Sequence, residues 1–259
     1  MKLPVARREL GQHFLVDENI VRVAGRMAGL SLDDVVLEVG PGLGVLTRYV
    51  ADHVEHVHAV EIDRRLEPGL RASLGDRTNV EIVVADALVH PLGELDPPPT
   101  KFVSNLPYNV ATPLVVESLD GLPSVDLWCV MVQREVADRF FADPGTKDYG
   151  AVSVLLQLTA NRVGFHPVAR TVFRPPPNVD SALVAFARKR NWGSEFRPLK
   201  RVVQGAFAHR RKTAANSLDL SGFERTAVER ALAETGLEHG VRAERIAPEQ
   251  FERLAEALV

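Results

Sequence analysis

Residues Val35–Gly44 read VVLEVGPGLG, a short run of strand-forming residues that passes directly into a glycine-rich turn. Glycine at Gly40, Gly42 and Gly44 allows backbone dihedrals that other residues disfavour and lets the main chain approach a ligand closely. A segment with helical apolar spacing, LGVLTRYVADH, follows at once. The order strand, glycine-rich turn, helix is typical of the ligand-binding edge of an open α/β sheet. The spacing is not G-x-G-x-x-G, so it does not indicate a dinucleotide.

On either side of this unit, short apolar runs alternate with helical patterns. Six further runs have strand character, and they lie at 57–62, 80–85, 101–105, 127–132, 161–168 and 181–188. Alternation of strands with helices predicts an α/β fold built on a parallel, Rossmann-like sheet. From Phe196 onward the apolar residues recur at spacings of three and four, which predicts a small C-terminal helical domain.

The composition is that of an ordered globular protein. Of the 259 residues, 46% are hydrophobic and 25% are charged, which excludes a largely disordered chain. The single cysteine, Cys129, lies in the apolar run LWCVMV, so we expect a buried thiol and a reducing, cytoplasmic location. No apolar run approaches the length of a membrane span or of a secretory signal, so neither membrane insertion nor secretion is expected.

Charge is distributed unevenly along the chain. The formal net charge is −3, which argues against a protein that coats nucleic acid. The segment from Arg188 to Lys212 nevertheless contains nine basic residues and one acid, Glu195, a local charge of +8 that leaves −11 for the rest. Such a segment is either a solvated face or a surface that binds phosphates.

Polar residues follow three successive predicted strands. Gly40 follows the first, Glu61 closes the second, 21 positions later, and Asp86 follows the third. At the carboxyl edge of a sheet, a carboxylate at the second strand can accept ribose hydroxyls, and one at the third can accept an exocyclic adenine amine. Singly, Glu61 also fits a neighbour of a helix N-cap and Asp86 an Asx turn. Together they indicate an adenosine ligand, and without a phosphate-binding lysine loop the cationic S-adenosylmethionine fits best.

The fourth strand ends in SNLPYN, Ser104–Asn109, which by itself is also compatible with an ordinary turn. Beside a methyl donor it has a chemical interpretation. The Asn105 oxygen and the Pro107 carbonyl can accept the hydrogens of a nucleobase amine and stabilise the positive charge that develops as it is methylated. Tyr108 offers a face on which an unstacked base can lie.

At this point the chain resembles the ribosomal RNA adenine dimethyltransferases, most closely the branch that modifies bacterial small-subunit RNA. The resemblance covers nearly the whole chain, and its most specific segments are FRPPPNVDSALV and AFAHRRKTAANSL. It implies a class I methyltransferase domain at 1–187 and a helical RNA- or ribosome-binding domain at 188–259. It also implies S-adenosylmethionine as donor, and transfer of two methyl groups to N6 of each of two adjacent adenosines in a 16S rRNA hairpin.

The resemblance also assigns site residues. The donor-binding positions are His13, Leu15, Gly40, Gly42, Glu61, Asp86 and Asn105. The catalytic positions are Asn105, Pro107, Tyr108 and Phe173, where Phe173 would hold the second face of the base. One departure from the family pattern is His13, where asparagine is usual, so a role for that side chain is in doubt while backbone contacts to the donor are expected to remain.

The expected partner is 16S rRNA within the small ribosomal subunit or its precursor, bound by a monomer. The basic residues expected to contact it are Arg188, Lys189, Arg197, Lys200, Arg201, Arg210, Arg211 and Lys212. Two alternatives stay open: an assembly factor that acts mainly by binding, and a 23S rRNA methyltransferase of the antibiotic-resistance type. No metal site is predicted, because no cysteine or carboxylate cluster accompanies His53, His56 and His58 in the sequence.

Overall fold

The computed structural model describes residue 7 and residues 10–258. The strands in these residues are β1 Phe14–Leu15, β2 Val35–Val39, β3 His56–Glu61, β4 Val80–Val84, β5 Lys101–Asn105, β6 Leu127–Gln133, β7 Ala160–Val168, β8 Phe173–Arg174 and β9 Ser181–Arg188. All seven strands predicted from sequence are confirmed within one residue at each end. The two-residue strands β1 and β8, which pair antiparallel with each other, were not predicted.

The helices are α1 Glu18–Ala28, α2 Val45–Ala51, α3 Glu67–Leu74, α4 Ala111–Gly121, α5 Arg134–Phe140, α6 Ala151–Thr159, α7 Phe196–Phe207, α8 Ala214–Leu220, α9 Arg225–Glu234 and α10 Pro248–Leu258. Local signals set their ends. Asp17 caps α1 by accepting the Asn19 and Ile20 N–H groups, and Gly29 ends that helix with a left-handed φ of 55°. In the part of the chain that is described, every helix is too short or too polar to cross a membrane.

The large sheet has seven strands in the order β4-β3-β2-β5-β6-β9-β7. The five neighbouring strands β4, β3, β2, β5 and β6 are parallel, as predicted. Strand β9 runs antiparallel to β6. The chain moves outward from β2 through β3 to β4 and then returns to place β5 on the other side of β2. This reversal opens a crevice beyond the carboxyl ends of the strands, which is where open α/β sheets bind ligands.

Buried aliphatic side chains hold this sheet against its helices. Val36, Val57, Val103 and Cys129 are all completely buried in one cluster. The prediction of a buried thiol at Cys129 is therefore confirmed, and burial raises its pKa to about 12. The sheet is thus a rigid base that fixes the positions of its strand ends.

The chain divides into two compact units. The first comprises the residues up to Ala137 together with Arg162–Arg188, and the second comprises Asp138–Asn161 together with the chain from Lys189 onward. The sequence predicts a single boundary, between 187 and 188. The structure differs because α6, most of whose side chains are buried, packs against α7 and α10, so that it belongs to the helical unit.

Candidate active site

A cavity of about 280 Å³ lies in the first unit at the carboxyl ends of β2, β3, β4 and β5. Nine residues predicted from the sequence line it: His13, Leu15, Gly40, Gly42, Glu61, Asp86, Asn105, Pro107 and Tyr108. The tips of four strands therefore meet at one place, as the sequence analysis predicted.

The glycine-rich turn forms one wall of this cavity. Gly40 and Gly42 have φ values of 74° and 56°, in the left-handed region that favours glycine. A Cβ atom would lie 3.2 Å from the Pro107 ring at Gly40, and 3.1 Å from the Phe14 ring at Gly42. The turn requires glycine both for its conformation and for its close packing.

Glu61 holds the turn in place. Its Oε2 accepts the Gly42 N–H at 3.1 Å and its Oε1 accepts the Asp63 N–H at 2.9 Å. Glu61 is only 4% exposed, and this burial raises its pKa although the two backbone donors oppose the shift. Each carboxylate oxygen has a second lone pair, so Glu61 can still accept hydrogen bonds from a ligand.

Asp86 lies just beyond β4 and is exposed at the cavity rim. Its Oδ1 accepts the Leu88 N–H at 2.9 Å, which is the Asx turn that the sequence analysis weighed as the alternative to ligand binding. The two roles coexist, because one carboxylate oxygen forms the turn and Oδ2 is left for a donor on a ligand.

Sequence reasoning missed a third acid in the cavity wall, Glu38, the fourth residue of β2. It is 1% exposed, and burial raises its pKa to about 8, with the nearby Glu61 carboxylate adding to the shift. Neither Glu38 Oε2 nor Thr47 Oγ1 has a partner in hydrogen-bond geometry within the described chain. A buried, unpartnered carboxylate oxygen fits a cationic ligand, since a positive charge would restore its ionised form.

Asn105, the last residue of β5, is oriented by the chain near the N-terminus. Its Nδ2 donates to the His13 carbonyl at 3.2 Å. The amide nitrogen is thereby engaged, and the acceptor Oδ1 remains for a ligand. The His13 backbone thus positions Asn105.

The His13 side chain has a separate contact. Its Nδ1 lies 2.9 Å from the Pro175 carbonyl oxygen and must donate, because a carbonyl can only accept. This bond ties the segment around β1 to the segment after β8. The His13 imidazole therefore has a structural hydrogen bond of its own, and this role does not require contact with the methyl donor.

Pro107 and Tyr108 follow Asn105 at the cavity edge. The Pro107 carbonyl accepts the Val110 N–H at 3.1 Å, which fixes the direction of the carbonyl. The Tyr108 hydroxyl lies 2.6 Å from Ser181 Oγ, and its ring centroid is 5.3 Å from that of His13. Burial raises the pKa of Tyr108, so the phenol stays neutral and its ring remains part of the cavity lining.

Phe173 does not join this cavity. It forms the short β1–β8 ladder opposite Leu15 and is 0% exposed within the apolar core. In this conformation the ring offers no face to a base, so the structure does not support the predicted stacking role. The physical reason is the β8 pairing, which turns this side chain towards the core.

The predicted RNA-binding residues are also divided by the structure. Arg188 lies in the first unit, where its guanidinium donates to the carbonyls of Leu119, Leu122 and Val125 at 2.7–2.9 Å and lies 4.7 Å from the Trp128 ring centroid. Each of its three guanidinium nitrogens donates to a backbone carbonyl, so the structure gives Arg188 an intramolecular role and does not support the prediction that it binds RNA. Burial lowers its pKa.

The other seven predicted RNA-binding residues lie in the second unit. Lys189, Arg197 and Arg201 are exposed, and Lys200 is half-buried. Arg210, Arg211 and Lys212 lie between α7 and α8 and line a second cavity, of about 490 Å³.

Three cations that the sequence analysis did not select line the same cavity: Lys147, Arg242 and Arg245. With Glu244 as the one acid among the lining residues, the six cations leave a charge of +5. These residues come from three distant segments, so no local charge run could reveal them. We call this set the basic cavity.

A mixed α/β sheet with five parallel strands, whose tips present a glycine turn, acids at the next two strands and an Asn-Leu-Pro-Tyr turn, defines a Rossmann-like methyltransferase. A model of the family described as ribosomal RNA adenine dimethylase matches residues 5–259. The chain belongs to this family.

Similar proteins agree with this assignment. A protein named ribosomal RNA small subunit methyltransferase A from Rubrobacter xylanophilus is 47% identical over 96% of this chain and 94% of its own length. One of the same name from Thermobifida fusca is 44% identical over 96% of this chain and 89% of its own length.

Solved structures show the same fold. The crystal structure of 23S rRNA methyltransferase ErmE is 32% identical and superposes with a TM-score of 0.66, covering 95% of this chain and 99% of that one. A dimethyladenosine transferase from Plasmodium falciparum, at 23% identity, has a TM-score of 0.75 and covers 93% of this chain and 96% of that one, and so supports the fold alone.

Proposed function

We propose that the protein transfers methyl groups from S-adenosylmethionine to N6 of two adjacent adenosines in the 3′-terminal hairpin of 16S rRNA, giving N6,N6-dimethyladenosines. The observation that carries the proposal is the single cavity in which the strand-tip acids and the turn Asn105–Tyr108 meet. The family and the two relatives named for the small subunit support the choice of RNA.

The acids and the glycine turn would hold the donor. Glu61 and Asp86 each retain acceptor capacity for ribose hydroxyls and an adenine amine, and the Gly40–Gly42 backbone allows close approach. Glu38 is a buried acid that a neighbouring positive group would hold in its ionised form. When bound, S-adenosylmethionine supplies a methyl group made electrophilic by a sulfonium.

Asn105 and Pro107 would act on the acceptor amine. Asn105 Oδ1 and the Pro107 carbonyl accept its two hydrogens and favour pyramidalisation, which concentrates the nitrogen lone pair for attack. The donor would give up its methyl group to the nitrogen and keep the electron pair of the broken C–S bond on sulfur. The amine becomes cationic and acidic, and releases one proton through these acceptors to water, so no strong base is required.

Tyr108 would hold the flipped base. Its half-buried ring borders the cavity, and its hydroxyl contact with Ser181 fixes its plane. Stacking on such a ring contributes about 1–3 kcal/mol per base.

The basic cavity would bind RNA phosphates. Six cations around about 490 Å³ form a site for a folded backbone rather than for base edges. Arg190 is not part of it, because it pairs with Glu195 and Glu252 and lies over the Trp192 ring. Binding to a small-subunit precursor, the monomeric state and the cytoplasmic location stay predictions.

Methyl transfer to purified ribosomal subunits tests the proposal. Small and large subunits are prepared from a strain without 16S and 23S adenine dimethylation, and labelled methyl groups are counted. The wild-type protein is expected to transfer methyl groups to the small subunit only. Asn105→Ala is expected to lower the rate about 10²–10³-fold, while Asn19→Ala, an exposed asparagine on α1, serves as the matched control.

Two results would overturn the proposal. Methylation confined to the large subunit would favour the 23S activity that the ErmE title names. Full activity of Asn105→Ala would remove the role assigned to the turn.

A further inference from the structure

Two histidines and a glutamate that do not line the candidate active site meet on the outer strands β3 and β4 of the sheet. His56 and His58 lie two residues apart on β3, so their side chains share one face. In the parallel register, Glu81 of β4 lies opposite His58. One ligand atom from each of the three side chains lies within 4.8 Å of the other two.

His58 is in an environment that requires a cation or a proton. Its ring is completely buried, and Nε2 lies 2.8 Å from the Pro97 carbonyl oxygen. A carbonyl can only accept, so Nε2 carries a hydrogen. Nδ1 lies 2.8 Å from Glu81 Oε2. Two acceptors at this distance repel each other unless a proton or a metal ion lies between them.

His56 makes the metal ion the better explanation. Its ring centroid is 4.5 Å from that of His58, and its buried Nε2 has no hydrogen-bond partner among the described residues. A proton shared by His58 and Glu81 leaves His56 Nε2 without a partner among the described residues. A metal ion bound by all three side chains would satisfy His56 as well, and Glu55 is a further acid nearby.

We propose that His56, His58 and Glu81 bind one divalent metal ion per chain, with Zn²⁺ as the representative ion. Imidazole and carboxylate are ordinary zinc ligands, and a tetrahedral site with bonds of about 2.0–2.2 Å places its ligand atoms about 3.3 Å apart. The 2.8 Å separation of Nδ1 and Oε2 must therefore widen by about 0.5 Å, and ligand atoms as much as 4.8 Å apart must approach by up to about 1.5 Å. Glu81 can move, because its side chain is 52% exposed. Water fills the fourth position, and the metal displaces one proton.

The position of this site on β3 and β4 indicates what a bound metal ion would do. His56 and His58 lie five and three residues before Glu61 on β3, so about 16 Å and about 10 Å of strand separate these two ligands from that carboxylate in the donor cavity. The ion would join the edge strand β4 to β3 and hold the Pro97 segment through His58. Its role is therefore structural, and methyl transfer does not require it.

Titration calorimetry with Zn²⁺ tests the proposal on the full chain after removal of metals with a chelator. Wild type is expected to bind one ion, and Glu81→Gln, an exposed and nearly isosteric change, is expected to weaken binding at least about tenfold. His53→Gln is the matched control, since His53 is an exposed histidine outside the cluster whose Nδ1 contacts the Tyr49 carbonyl. It is expected to bind as wild type does.

Two further measurements complete the test. Added Zn²⁺ is expected to raise the melting temperature of wild type and of His53→Gln, but not of Glu81→Gln. His56→Gln is expected to match Glu81→Gln in calorimetry. Absence of saturable binding to wild type, or equal binding by Glu81→Gln, would overturn the proposal, and both results can be obtained even if His56→Gln does not fold.

Discussion

Arg188 distinguishes a basic residue that stabilises the protein from one that binds RNA. Its guanidinium forms three hydrogen bonds, to the carbonyls of Leu119, Leu122 and Val125, and lies over the ring of Trp128. The residues that supply these carbonyls are each at most 1% exposed. We expect Arg188→Ala to destabilise the first unit and to leave the affinity of the remaining folded protein for RNA unchanged.

The size of the effect follows from these contacts. Each lost hydrogen bond to a buried carbonyl costs roughly 1–1.5 kcal/mol, because the acceptor loses its donor. The contact with the aromatic ring adds about 0.5–1 kcal/mol. Together these give a loss of about 4 kcal/mol. Lysine cannot replace the forked donor, so Arg188→Lys should recover only a minor part of it.

Urea unfolding followed by tryptophan fluorescence measures this loss. The chain contains two tryptophans, and Trp192→Phe leaves Trp128 as the reporter of the first unit. With a slope of about 3 kcal/mol per molar urea, the midpoint should fall by about 1.3 M. Arg211→Ala, in the basic cavity, is the matched control: it should keep the midpoint and weaken RNA binding with a smaller salt dependence.

The opposite pattern would refute this interpretation. If Arg188→Ala unfolds at the wild-type midpoint and binds RNA more weakly, then its guanidinium contacts RNA instead of the buried carbonyls.

Three further predictions concern the donor cavity. Tyr108→Ala should lower kcat/KM for small subunits about 5- to 150-fold, from the loss of about 1–3 kcal/mol of stacking, whereas Tyr108→Phe keeps the ring and most of the activity; equal loss in both variants would contradict stacking. The Glu38 carboxyl, with its pKa raised from 4.5 to about 8, holds its proton in the folded state but not in the unfolded state between these values, so its contribution to stability falls as the pH rises. Glu38→Gln should therefore gain stability relative to wild type from pH 5 to pH 8 in thermal unfolding, and a constant difference would contradict the assigned pKa. Gly42→Ala should weaken S-adenosylmethionine binding in calorimetry, because it combines a φ of 56° with a Cβ 3.1 Å from Phe14, while Gly69→Ala, a helical glycine with open space around its Cβ, should bind as wild type does.

Strands and strand ends were predictable because their signals are local. The strands β2, β6 and β9 are apolar, largely buried runs, and β4 and β7, although partly exposed, still have β-branched residues in short segments. Since parallel strands end at one edge, Gly40, Glu61, Asp86 and Asn105 could be expected to meet, and all four line one cavity.

Other features depend on partners that no local pattern reveals. Phe173 is buried because its two-residue strand pairs with that of Leu15. Arg188 donates hydrogen bonds to three backbone carbonyls in and just after the last turn of α4. The cations Lys147, Arg242 and Arg245 meet Arg210–Lys212 only because separate segments of the helical unit fold together. For each of these residues, a contact distant in sequence decides the role.

The sequence alone determined the α/β sheet, the family and the identity of the strand-tip residues, because these follow from short-range periodicity and from motifs of adjacent residues. Only the tertiary structure decided which cations meet in the basic cavity, that Glu38 Oε2 is buried without a hydrogen-bond partner among the described residues, and that Glu81 lies beside two histidines. Burial and hydrogen-bond satisfaction are properties of the packed chain, and they depend on residues tens of positions away.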